Sequence, residues 1–299
     1  NGQCSLMEAI QNANNKTNGR PYTDCPAGNP NGADTINLPA NGLFTLNSAF
    51  VPDALVGPIG LPWISSTITL NGNGSTIQRG NNAPDFRVMA VGQQGNLTLN
   101  NTTVRNGHLN VTYSQYSNYG DKAGAGILIQ GQMTINSSTI ADNGVVSYYS
   151  VEGGGIYVGG TLTISGSTIR DNQVNGDRNG GFGGGIGGHG SLTIIDSLVS
   201  GNTASDHYYA TGAGIHTTGP LTIIDSTFLD NDASAYYTAG AGLDATGQTM
   251  VTGSTFTGNS AQTYYSEYEP YGSSGGAIRN RGNMTITNST LSGNGAISG

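Results

Sequence analysis

The chain has 299 residues, only 9% of them charged, a formal charge of −8 and a pI near 4.7. An acidic chain without a basic stripe excludes nucleic acid as a partner, and no apolar run approaches the roughly 18 residues of a membrane span. Gly (49) and Pro (10) are abundant, but the glycines recur at intervals, so they read as bends in one elongated body rather than as disorder.

The sequence begins at Asn1 with neither an initiator Met nor a signal peptide, the pattern of a processed or trimmed product. Residues 4–14 form the only convincing helix: Ser5 and Glu8 make a capping box, and Leu6, Ala9, Ile10 and Ala13 share one face. Cys4 and Cys25 are the only cysteines, and no histidine is near them. Two cysteines alone make a poor metal site, so they are expected to form a disulfide and to place the chain in an oxidising, extracytoplasmic compartment; the alternative is a pair of free cytosolic thiols. Residues 1–32 thus read as a lid on a solenoid end, and residues 33–299 as the solenoid. Its first strands are 34–38 (DTINL) and 43–46 (LFTL). Segment 50–63, with Pro52, Pro58, Pro62 and Trp63, is either an insertion packed on the flank or a plain long loop. Imperfect coils fill 64–107, including 67–70 (TITL) and 96–99 (NLTL).

From there one pattern is written six times, opening at Gly124, Gly153, Gly183, Gly212, Gly240 and Gly275, with spacings of 29, 30, 29, 28 and 35 residues. Such a period marks units that bury their apolar faces only by stacking. Within a unit the apolar period is two: Met133/Ile135, Leu162/Ile164, Leu192/Ile194, Leu221/Ile223 and Met284/Ile286 alternate with polar residues. Three short strands per copy predict one coil of a parallel β-helix, whose stacking turns each position into a ladder with rungs about 4.8 Å apart. Asn143, Asn172, Asn202, Asn231, Asn259 and Asn294 are the predicted ladder at one corner, their amides bonding to one another or to turn backbone. The glycines at 126, 155, 185, 214 and 242 are read as tight bends or positive-φ positions, with Ala277 in the sixth place.

The opening CSLMEAIQNANN, followed by ADTINLP and FTL, resembles bacterial surface proteins that carry the CSLREAI motif, with Met7 in place of the motif's Arg. The repeat pairing GGAI (275–278) with FLDN (228–231) or FTGN (256–259) is similar to the GGAI/FxxN repeats of polymorphic outer membrane proteins. The resemblance spans essentially the whole chain. It implies a single-stranded, right-handed parallel β-helix displayed outside a bacterial cell, structural or adhesive in role, with no catalytic residues and no cofactor.

Thirteen of the 15 tyrosines fall in the variable loops before the coils, the loop 173–182 being the one without any. Tyr148/Tyr149, Tyr208/Tyr209, Tyr236/Tyr237 and Tyr264/Tyr265 lead the set, and stacking gathers equivalent loops into one edge. Such an edge either packs on itself and the solenoid wall or serves as an interface for a protein, a second copy of the chain, or sugar rings of a glycan or host surface. The closing LSGNGAISG ends a coil without a lid, an apolar end suited to docking and, by propagation, to filaments.

The alternative function is a polysaccharide-active enzyme, a pectate-lyase-like lyase or a polygalacturonase-like hydrolase, because β-helices host both chemistries. Gly188-His189-Gly190 matches a polygalacturonase signature, but its companion elements are absent and His189 reads as an exposed turn residue. Asp196 and Asp225 occupy equivalent positions, while Asp142, Asp171 and Asp230 precede the asparagine ladder. His108, His207 and His216 are scattered, and neither a catalytic constellation nor a metal cluster emerges from the spacing. Nine sequons, at Asn15, Asn73, Asn96, Asn100, Asn101, Asn110, Asn136, Asn283 and Asn288, are candidate glycosylation acceptors or by-products of Asn/Thr-rich strands.

Overall fold

The computed structural model describes residues 2–16, 21–53, 56–111, 123–264 and 272–298. The chain is a parallel β-helix behind one helix, α1 (Leu6–Asn14). In the coil opened by Gly212, Ile215–Thr217 lies in a front sheet. Leu221–Ile224 and Thr227–Leu229 form two limbs of a broad sheet, Asp232–Ala235 lies in a back sheet, and Tyr237–Ala239 belongs to a narrow strip that leads into the next coil. The front sheet runs from Met89–Val91 to Ile278–Asn280, the back sheet from His108–Val111 to Gly295–Ser298, and the strip from Val151–Glu152 to Ser273–Ser274.

Pairing between coils is parallel and in register, so alternation in the sequence becomes columns in space. Ile135, Ile164 and Ile194 stack directly and are fully buried. Phe228 and Phe256 lie with rings stacked, centroids 4.4 Å apart. The outward column of the broad sheet is Thr134, Thr163, Thr193, Thr222, then Met250, then Thr285. Met250 is 45% exposed at a site where its neighbours carry hydroxyls.

Two polar ladders fix the corners. Asn143 Nδ2 donates to Asn172 Oδ1 at 2.9 Å, and the same bond repeats from Asn172 to Asn202, Asn231, Asn259 and Asn294 at 2.8–3.0 Å. Each Oδ1 also accepts the backbone N–H of the preceding asparagine. Only a short amide offers both a donor and an acceptor at this reach. A second ladder was missed in the sequence: Ser138, Ser167, Ser197, Ser226 and Ser254 each donate their backbone N–H to the next serine's Oγ at 3.1 Å.

Of the two readings of the glycines at 126, 155, 185, 214 and 242, the structure gives the bend and not the positive φ. Positive φ falls on the opening glycines, 55–65° at Gly124, Gly153, Gly183, Gly212, Gly240 and Gly275, not on those two residues later. Gly126, Gly155, Gly185, Gly214 and Gly242 are small because the ladder amides press on them: a Cβ on Gly155 would lie 2.8 Å from Asn172 Cγ. Asp142, Asp171 and Asp230 are turn residues, as their place before the asparagine ladder suggests, and Asp196 and Asp225 are turn residues too. Asp196 and Asp225 share φ of 48° with equivalents Gly166, Gly253 and Asn288 at 51–63°, and Asp142, Asp171 and Asp230 have φ of 52–56°. Asp, Asn and Gly are the residues that tolerate this conformation.

The capping box at Ser5 and Glu8 is formed, and Leu6, Ile10 and Ala13 join the main core, while Ala9 is only half-buried. Cys4 and Cys25 form a disulfide with Cα atoms 4.7 Å apart. Buried Asn12 ties the cap loop down, donating to the carbonyls of Tyr22 and Pro26, both at 2.9 Å. The proline-rich segment is a hairpin, Val51–Asp53 against Gly57–Ile59, and Val56, Ile59 and Trp63 pack with Ala90, Leu128 and Tyr157 on the front sheet. Fully buried Arg87 pins this flank to the first GxG turn by donating to the carbonyls of Val56, Ala123 and Gly124. In the last described coil, core-facing Ile286 and Leu291 are 41% and 47% exposed. No helix among the described residues is long and apolar enough to cross a membrane.

Candidate functional site

The turn at each opening glycine sets the narrow strip against the front sheet at a concave corner. In the front sheet the residue after each core Ile or Leu points outward, and register stacks these into a column: Leu128, Tyr157, Gly187, His216, Asp244, Arg279. The strip contributes Glu152, Phe182 and Thr211. Each of these leans on the front-sheet residue one coil further along. A Cβ on Gly187 would lie 2.4 Å from Glu152 Cγ. The Phe182 and His216 ring centroids are 5.0 Å apart, and the Thr211 hydroxyl donates to Asp244 Oδ2 at 2.9 Å. Glu152 and the Gly153 backbone fill the space that a side chain at 187 would take, and beside them the corner holds a cavity of about 390 Å³, lined by Glu152, Tyr157, Phe182, His189, His216 and Thr218 among others.

Beyond His216 the floor is a charged cluster. Asp244 is fully buried, gripped by Arg279 through Nε–Oδ1 at 2.8 Å and Nη2–Oδ2 at 2.6 Å, and it accepts from His216 Nδ1 at 2.9 Å. Burial alone pushes the Asp244 carboxyl up, but the Arg279 fork and His216 outweigh it and hold the group well below the usual carboxylate range. An ionised acceptor there keeps the proton of a neutral His216 on Nδ1, leaving the lone pair on Nε2, which makes no hydrogen bond to a described residue. Arg279 also donates to Tyr237 Oη at 3.0 Å, joining the cluster to the tyrosines. At the other end, exposed His189 reaches back so that its Nδ1 lies 3.2 Å from Tyr157 Oη.

Glu152 is the cavity's own acid. Burial pushes its carboxyl up, partly offset by His216, the Gly188 N–H and His189. A raised folded-state pKa gives stability that is complete below the unfolded value, about 4.3, and is lost as pH rises through the folded value. Glu152→Gln removes that loss. Denaturant titrations from pH 4 to 8 are expected to show the variant gaining on the native chain as pH rises, and a constant difference contradicts this.

The tyrosines separate into columns. Tyr209 pairs with Tyr237, ring centroids 5.9 Å apart, along the strip beside the cleft. Tyr208 and Tyr236 form a second column at 6.0 Å with the His207 ring against both. Tyr148 and Tyr149 sit edge to face at 5.3 Å, with Arg178 over Tyr148. They stand one residue earlier than Tyr208/Tyr209, because Val151, which pairs with Gly181 and through it Ala210, follows Ser150. Tyr264 is 51% exposed; Tyr265 lies outside the described residues.

The sequon asparagines divide by environment. Asn73, Asn100 and Asn136 donate their amides to Leu38 O, Asn71 Oδ1 and Asn100 Oδ1, the last two being rungs of a ladder on the broad sheet. Asn73, Asn101 and Asn288 hold positive-φ turns, and Asn15 ends α1. Asn110 and Asn283 are exposed and Asn96 is half-buried. Among the described residues, the one group of three potential metal-ligating side chains within reach of a common ion is Glu8, Asp24 and Cys25, whose cysteine is held in the disulfide.

Sequence reasoning treated His189 and His216 as isolated and missed Glu152, Asp244 and Arg279. The available signal was the position after each core Ile or Leu. Aligned copies read Tyr157, Gly187, His216, Asp244, Arg279 there, a different polar or small residue in every coil. No protein-family model, curated protein or solved structure matches this chain.

Proposed function

We propose that this chain is a secreted or surface-displayed β-helix that adheres to neutral saccharide chains, held in the corner cleft and along the adjoining tyrosines. The observation that carries the reading is the corner cavity lined by Glu152, Tyr157, Phe182 and His216. Its volume of about 390 Å³ falls at the small end of ligand sites, room for one or two sugar rings. Phe182 and Tyr157 offer ring surface for the apolar faces of a sugar, and Glu152, His189, His216 and Thr218 offer partners for its hydroxyls. The Tyr209–Tyr237 column continues the track beyond the cavity. A net charge of −8 and an Arg279 already committed to Asp244 disfavour anionic polymers. The disulfide supports an oxidising compartment, and the resemblance to CSLREAI-motif proteins supports display at a bacterial surface.

Calorimetric titration with the neutral hexasaccharides of glucan, mannan, xylan and galactan, beside a polyuronate hexasaccharide as the charged control, tests the reading. At least one is expected to bind, and Phe182→Ala to weaken it about tenfold, the loss of one ring contact of about 1.4 kcal/mol. Binding confined to polyuronates, or unchanged in the variant, contradicts the proposal.

A further inference from the structure

We infer that the broad sheet binds ice through the row of threonines on its first limb, a face separate from the corner cleft. The row extends back from Thr134 through Thr98 and Thr69 to Thr35, so seven threonines pair one to the next in register up to Thr222, where Met250 interrupts them. Six spacings of about 4.8 Å make the row about 29 Å long. Beside it a ladder of amides ties the coils together, Asn71 donating to Asn37, Asn100 to Asn71 and Asn136 to Asn100 at 2.8–3.0 Å. A β-branched side chain has little freedom about χ1, so the row presents one hydroxyl and one methyl per coil at a fixed interval. No hydroxyl of the row bonds to another described residue, which leaves all of them for water.

The composition of the face selects the partner. The outward column on one side of the row is Thr67, Asn96, Gln132, Thr161 and Ser191, and the column on the other continues from Asn136 to Ser165, Ile195, Ile224, Thr252 and Thr287. None of these side chains is charged or aromatic. An ionic mineral or a polyelectrolyte needs opposing charge, a protein partner needs aromatic or Arg anchors at the centre of the contact, and a sugar needs ring faces of the kind the corner cleft supplies. A face kept only for solubility carries charge, as the second limb does at Arg105 and Arg170. Identical neutral groups at one interval match a partner with the same interval, and hexagonal ice repeats along one axis at close to the coil spacing. Each threonine hydroxyl can donate to and accept from lattice waters, while its methyl fits the open space between them. Every contact is weak, but the row adds them, and side chains already held in place lose little entropy on docking.

The test is ice growth in solutions of the intact chain, read as thermal hysteresis, as the shape of a single crystal, and as uptake of fluorescently labelled chain into a growing ice front. The native chain is expected to depress freezing below melting, to facet the crystal and to enter the ice. Thr163→Lys, at the middle of the row, is expected to lose all three effects, with the native fold checked by circular dichroism. Thr193→Tyr, whose ring suits a strand face and whose bulk breaks the row without adding charge, is expected to lose them too. Met250→Thr joins Thr285 to the row and is expected to raise the hysteresis, while Thr227→Lys on the second limb leaves it unchanged. A native chain that neither shapes nor enters ice overturns the inference, as do folded Thr163→Lys and Thr193→Tyr variants as active as the native chain. So does an equal loss in Thr227→Lys, which places the activity elsewhere or in the chain as a whole. Saccharide binding, present or absent, leaves these outcomes unchanged.

Discussion

Asn202→Ala is expected to destabilise the β-helix by about 4 kcal/mol, at the upper end of single-substitution effects. The Asn202 side chain is fully buried and makes four hydrogen bonds: it donates to Asn231 Oδ1 and Ile169 O and accepts from the Asn172 backbone N–H and amide. Removing it takes a partner from two donors and two acceptor oxygens in a dry corner, at about 1–3 kcal/mol for each group left unsatisfied, and empties the space against Gly185. Asn294→Ala, at the exposed end of the same ladder, is expected to cost about 1 kcal/mol, because water reaches its partners. Equal losses at the two positions, measured by chemical denaturation, contradict an axially continuous ladder.

Arg279→Leu is expected to cost about 3 kcal/mol near neutral pH by taking the guanidinium fork from a fully buried Asp244 charge, which keeps only His216, Thr211 and the longer contact to Arg281. The double variant Arg279→Leu/Asp244→Leu recovers most of that loss, since a buried ion pair exchanged whole for apolar groups is often near neutral. The pH dependence follows from the depressed Asp244 pKa. Its stabilisation is present above the unfolded value of about 3.9 and is lost as pH falls through the folded value. The native chain therefore loses stability on acidification, while the single variant, whose carboxyl protonates more readily, loses less, and the two curves converge. Parallel curves contradict the assignment of the shift to Arg279.

The scaffold was legible because it repeats. The asparagines recur in every copy, and the GxG openings and the Leu/Ile alternation in most of them, with Ala277 and Thr249/Val251 as the departures, so their columns follow from stacking alone. The cleft does not repeat. Glu152, His216, Asp244 and Arg279 come from four coils, each contributing a different residue at a position that looks unremarkable within its own copy. The tyrosines show the opposite failure. Their recurrence was visible, but one residue of register separates Tyr148/Tyr149 from the columns at Tyr208/Tyr236 and Tyr209/Tyr237. The glycines at 126, 155, 185, 214 and 242 were legible as bends, but their cause was not: sequence marks where a side chain is missing, not whether a φ angle or a neighbouring amide requires its absence.

A crystal structure of the chain soaked with the neutral hexasaccharide it binds most tightly tests the account most directly. The account predicts a sugar ring in the corner cavity, stacked on Phe182, with its hydroxyls facing Glu152, His189 and His216. A sugar lying on the broad threonine face, or on the tyrosines with the corner empty, contradicts it.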